Sequence, residues 1–124
     1  MPVIRQAEGV EYETHGVRFT SYACTKAGST QLAAWGVRLP ARQPGVEHRI
    51  SGEEVFLVRD GAPRITVDGV AAELSPGDVV IAPAGCLLHV CNPGSQDADL
   101  WVTTGSGLSA TLPDGSELAP PWAQ

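Results

Sequence analysis

The sequence predicts an all-β domain, a sandwich or barrel of short antiparallel strands. Three observations predict it. Punctuation is dense, with 14 Gly and 10 Pro in 124 residues, which leaves little room for a long helix. Between the breaks lie short runs rich in β-branched and aromatic residues, the repeated spacing of barrels and sandwiches. Asp68-Gly69 separates two of these runs by two residues, which is the chemistry of a type I′ hairpin because both positions require positive φ.

In chain order the predicted strands span residues 17–24, 32–39, 54–59, 64–67, 70–74, 78–82, 87–92 and 98–104. Trp35 and Tyr22 lie on the first two and are expected to wall an interior cavity, where aromatic rings supply area and a polar handle. His15, just before the first run, belongs to a surface turn. The run Val55-Phe56-Leu57-Val58 is apolar at every position, so both of its faces are expected to be covered. A partner subunit is the natural outer cover, which predicts a homodimer. Asp60-Gly61 closes that strand, Pro76-Gly77-Asp78 opens a later one, and Pro83-Ala84-Gly85 turns the chain tightly into 87–92. Residues 105–124 are rich in Gly, Ser, Pro and Asp and end in Pro120-Pro121-Trp122, which no regular strand accommodates. Trp122 is expected to strap this tail over the barrel or to close a cavity mouth.

A chain of this length holds one domain, residues 1–124, and 43% hydrophobic with 18% charged residues indicates a folded core. Fourteen acidic against eight basic residues give a net charge of −6, the wrong sign for nucleic acid or an anionic membrane. The first ten residues carry Arg5 and Glu8 and no apolar stretch of a signal peptide, so the expected location is the cytoplasm. Three cysteines, Cys24, Cys86 and Cys91, with no CxxC, indicate reduced thiols.

Residues 44–94 carry two motifs. The first reads His48, Ile50, Glu54 and Gly61, and the second reads Gly77, Pro83, Gly85, Leu88 and Asn92. This spacing resembles the cupins, small jelly-roll (double-stranded β-helix) barrels whose first motif runs His-x-His, three or four residues, Glu, six residues, Gly. Their second motif runs Gly, five residues, Pro-x-Gly, two residues, His, three residues, Asn. The resemblance implies a single-domain cupin barrel with a small-molecule cavity. In metal-dependent cupins both histidines of the first motif, its glutamate and the histidine of the second converge on one divalent ion. Here Ile50 and Leu88 stand at two of those four positions, leaving His48 and Glu54. Aligning with four residues before Glu54 would place Glu47 and Arg49 in the first two slots, and an arginine cannot ligate a metal.

Two protein ligands fall short of the three that catalytic metal sites normally supply, so the expectation is a degenerate metal site and no cofactor. His89 sits one residue late, which on a strand turns it to the opposite face unless a bulge intervenes. With a bulge, His48, Glu54 and His89 would form the alternative, a dioxygenase or isomerase using Mn, Fe, Ni or Zn. Without it, Glu54 is the expected general base and His48 its orienting or proton-shuttling partner. Ile50, Leu88, Cys86, Phe56, Trp35 and Tyr22 would then line the substrate cavity. The chemistry such a pair supports is isomerisation, elimination or cyclisation of a small carbonyl compound by proton transfer. A non-catalytic cavity that only binds its small ligand is the other reading.

Overall fold

The computed structural model describes all residues from Met1 to Gln124. Its strands are β1 (Val10–Thr14), β2 (Val17–Ala23), β3 (Leu32–Leu39), β4 (His48–Ile50), β5 (Glu54–Asp60) and β6 (Arg64–Val67). They continue with β7 (Val70–Glu73), β8 (Val79–Ala82), β9 (Leu87–Cys91), β10 (Ala98–Gly105), β11 (Ala110–Thr111) and β12 (Glu117–Leu118). Helical structure is confined to three 3₁₀ turns, Gln6–Glu8, Thr25–Ala27 and Pro121–Ala123, as the dense Gly and Pro punctuation requires. Two six-stranded sheets result, ordered β1-β2-β3-β10-β5-β8 and β12-β11-β4-β9-β6-β7. All pairings are antiparallel, and β10 and β9 insert between strands distant in sequence, the topology of a jelly-roll barrel.

Strands β5 and β10 alternate in burial, whereas β3 is buried at every position from Ala33 to Val37. On β10, Ala98, Leu100, Val102 and Thr104 are buried, while Asp99, Trp101 and Thr103 point outward and keep partial exposure. The apolar run on β5 obeys the same period: Glu54, Phe56 and Val58 are buried, and Val55 and Leu57 face out. In the single chain that outer face is open, with Leu57 38% and neighbouring Ile81 63% exposed. The inward residues of both sheets, with Leu74, Leu108 and Trp122, make one continuous core.

The turns follow their residues. Asp68 and Gly69 take φ of 47° and 82° and join β6 to β7 with Val67 opposite Val70, the expected hairpin. The Asp68 carboxylate also accepts from the Leu87 amide at 2.9 Å, which ties this hairpin to the start of β9. Gly61 is required twice over. Its φ is 80°, and a Cβ there would lie 2.7 Å from the Ala98 Cα and from the Asp97 carbonyl. Asn92, 1% exposed, donates to the carbonyls of Leu39, Pro40 and Gln96 and accepts from the Gly94 amide, fastening the end of β9 to the end of β3.

Strands β1, β4, β11 and β12 are additions to the sequence reading. Three of them span only two or three residues, too few to display a period, and exist because a neighbouring strand supplies their hydrogen bonds. His15 and Gly16 form a second two-residue turn, with φ of 52° and 78°, joining β1 to β2.

Candidate active site in the barrel cavity

Between the sheets lies a cavity of about 150 Å³. Its walls come from alternate residues of β2, β3, β5 and β10, among them Phe19, Trp35, Phe56 and Val102. The tail contributes Leu108, Leu112, Leu118, Pro120 and Trp122, so residues 105–124 are part of the cavity wall as well as a strap. Trp122 stacks on Phe19 with ring centroids 3.9 Å apart and planes 7° from parallel, and Tyr12 packs against it at 5.9 Å.

Two ionisable side chains enter this apolar surround from different strands. Glu54 opens β5, opposite Ala82 on one side and Thr104 on the other. Thr104 Oγ1 donates to the Glu53 carbonyl at 2.7 Å, pinning the backbone just before it. The Glu54 side chain points inward and the residue is 4% exposed. No ion pair reaches it, and burial alone pushes its pKa from 4.5 up to about 8. At neutral pH it is therefore mainly the uncharged acid, a hydrogen-bond donor.

His48, on β4, lines the same cavity. Its Nδ1 lies 2.8 Å from the Val46 carbonyl. A carbonyl oxygen only accepts, so Nδ1 carries a proton, and the neutral form of the ring has its lone pair on Nε2. His48 and Glu54 make no hydrogen bond or ion pair with each other. This corrects the expectation that one orients the other: they address the cavity as separate groups.

The remaining expected residues divide. Phe56 and Trp35 line the cavity with His48 and Glu54. Ile50, Leu88 and Cys86 are not cavity walls. They are 1%, 1% and 3% exposed and packed into the barrel core, where Ile50 donates its amide to the Cys86 carbonyl and Leu88 lies opposite His48. Burial pushes the Cys86 thiol up, so it acts as a small hydrophobe. Tyr22 also departs from expectation. Val17, Phe19 and Ser21 take the inward positions of β2, which leaves Tyr22 on the outer face, stacked on Trp101 at 5.5 Å. His15, read only as a turn residue, reaches the cavity mouth.

His89 points away from Leu88 and hydrogen-bonds the Pro44 carbonyl through Nε2 at 2.7 Å, so no bulge turns it inward. That bond requires the proton on Nε2 and commits the nitrogen to the backbone. Nowhere do three His, Cys, Asp or Glu side chains gather in a metal-binding group. The donor set at this barrel centre thus does not match a divalent ion held by three protein ligands.

Residues 36–104 match the Cupin domain family, more than half of the chain and the segment that holds both motifs, with His48 and Glu54. The chain belongs to the cupin family. Solved structures share the fold. The polyketide cyclase RemF from Streptomyces resistomycificus superposes with a TM-score of 0.75 at 13% identity, over 85% of this cupin and 79% of the cyclase. KdgF from Halomonas sp. gives 0.68 at 18%, over 82% and 90%. Salicylate 1,2-dioxygenase from Pseudoaminobacter salicylatoxidans, in its adduct with gentisate, gives 0.64 at 21% over 73% of this cupin, which spans only 25% of the dioxygenase chain. A comparison with curated protein sequences finds no match.

Proposed function

We propose that this cupin binds a small carbonyl compound in its barrel cavity and moves a proton on it without a metal ion, in an isomerase, lyase or cyclase reaction. One observation carries the reading: Glu54, a carboxyl group 4% exposed and without an ion-pair partner, borders an otherwise apolar cavity shared with a single-tautomer histidine. Held protonated at neutral pH, Glu54 donates to the substrate carbonyl oxygen. His48 Nε2 takes a proton from the adjacent carbon, and an enol forms. Return of the proton to a different carbon completes an isomerisation, loss of a leaving group an elimination, and attack of the enol carbon on a second carbonyl a cyclisation. The roles are thus the reverse of those expected from sequence, because burial makes Glu54 the acid and leaves the base to His48.

Among the structural relatives, the cyclase RemF carries a name that fits this chemistry, but at 13% identity the likeness concerns the fold. The test needs no knowledge of the natural substrate. Solvent deuterium exchange next to the carbonyl of a panel of simple ketones, followed by NMR, reads enolisation directly. The wild-type protein should accelerate exchange, and Glu54→Gln and His48→Gln should each lose about a hundredfold or more. Exchange that both variants retain in full removes the pair from the chemistry.

The lack of any bond between His48 and Glu54 favours one second reading, a binding protein in which each group merely contacts the ligand. Saturable ketone binding with no exchange would select it.

A further inference from the structure

We infer that the cavity selects an uncharged, ring-bearing molecule and seats it against an aromatic layer completed by Trp122, which makes the C-terminal turn a specificity element. The inference rests on taking the cavity as the functional site, and it names the class of molecule that site accepts.

Charge is the first constraint. No Lys or Arg lines the cavity, whose ionisable groups are Glu54, His48 and, at the mouth, His15. Several arginines are engaged elsewhere: Arg59 with Asp99, Arg64 with Glu73, Arg38 with Asp97, and Arg49 with the Gly85 carbonyl. A carboxylate or phosphate brought inside would lose its water beside a carboxyl group and gain no guanidinium or ammonium in exchange. A neutral molecule bearing an oxygen acceptor meets no such cost.

Shape is the second. Both phenylalanines and two of the three tryptophans of the chain border this one cavity. Its volume of about 150 Å³ matches that of an apolar cavity that takes up benzene, so one ring fills it and substituents extend towards the mouth. Aromatic walls reward a ring through stacked and edge-to-face contacts as well as through buried area.

The third is that the aromatic layer is held ready. The Phe19–Trp122 stack is backed by Tyr12. The turn bearing Trp122 is anchored by the Gly107 amide on the Ala123 carbonyl at 2.9 Å and the Thr25 amide on the Gln124 carbonyl at 3.1 Å. Gln124 Nε2 adds bonds to the carbonyls of Leu108 and Pro120, both at 3.0 Å. A wall fixed this way binds without first ordering itself.

The experiment titrates the intact protein with three probes of similar size, acetophenone, benzoate and hexyl methyl ketone, at about pH 6.5, where benzoate is ionised. Indole N–H resonances, assigned with Trp→Phe variants, report on Trp122 and Trp35 in the cavity and on Trp101 outside it. Acetophenone should move the Trp122 and Trp35 signals, leave Trp101 in place, and bind about tenfold or more tightly than either other probe. Trp122→Leu should weaken acetophenone about tenfold, while Trp122→Phe, which keeps a ring on Phe19, stays within about threefold. Benzoate or the open-chain ketone binding as tightly as acetophenone overturns the inference, as does acetophenone binding that leaves the Trp122 signal still, or no binding at all. The proton-transfer reading fails separately. Ring-selective binding with no deuterium exchange would sink that reading and support the inference.

Discussion

The two halves of the motif-defined centre have gone different ways. His48 and Glu54 border the cavity and keep polar chemistry, whereas Ile50 and Leu88, at the positions where metal-binding cupins carry histidines, are sealed in the core at 1% exposure each. Three of the four positions sit on adjoining strands, His48 and Ile50 on β4 and Leu88 opposite His48 on β9, while Glu54 is on β5 of the other sheet. The contrast teaches that positions sharing one motif serve either packing or the cavity, according to the side chain placed there. Apolar side chains fill half of that centre and stabilise the fold, and the half left empty becomes a pocket whose low polarity tunes the one carboxyl group that remains.

The largest effect that would break this contrast is the pH dependence of stability. The folded-state pKa of Glu54 lies above its ordinary value, so the folded protein binds a proton the unfolded chain releases. Its contribution is intact below about pH 4.5 and is lost as pH rises towards about 8, with an upper bound of roughly 5 kcal/mol. Urea denaturation should show wild-type stability falling across that window, and Glu54→Gln should flatten the slope. An unchanged slope in the variant would mean Glu54 is already ionised in the folded protein.

Next comes the sealed half. Leu88→Ala should cost about 2–5 kcal/mol by denaturant midpoint, the range for a fully buried leucine. His48→Ala, across the ladder but facing the cavity, should cost about 1 kcal/mol, roughly one hydrogen bond to the Val46 carbonyl. Equal costs would dissolve the distinction between the halves.

Asn92 serves both halves by fastening β9 to the end of β3, so Asn92→Ala should cost about 1–3 kcal/mol, because three carbonyls lose their donor in a buried site. The smallest effect lies outside the comparison and calibrates it. Gly69→Ala meets nothing within 4 Å, so its cost is only that of φ at 82°, about 1 kcal/mol. A much larger loss would show that the hairpin does more than close β6 onto β7.

Much of the fold was legible because turns are local. Asp68-Gly69, Asp60-Gly61 and Pro83-Ala84-Gly85 each dictate their geometry within a few residues, and the strands they bound, from β5 to β9, follow. The candidate site was legible where period two decides it: Glu54 and Phe56 share a face of β5, and Phe56 and Trp35 were placed on the wall. Tyr22 was misplaced because its aromatic character was weighed above its position, one residue out of phase with Phe19. His15 and Trp122 could have been read further, since His15-Gly16 is a two-residue turn between alternating segments and Trp122 is a lone large aromatic in a polar tail.

The sequence by itself determined an all-β barrel of this family and the position of its turns, because each depends on residues close together or on a fixed spacing. Only the tertiary structure decided that Ile50, Leu88 and Cys86 fill the core instead of the cavity, that His48 and Glu54 stand apart, and that Trp122 returns to stack on Phe19. Those outcomes depend on how two sheets and a tail share one volume. A side chain's neighbours across a barrel are set by packing over the whole chain, which no local pattern records.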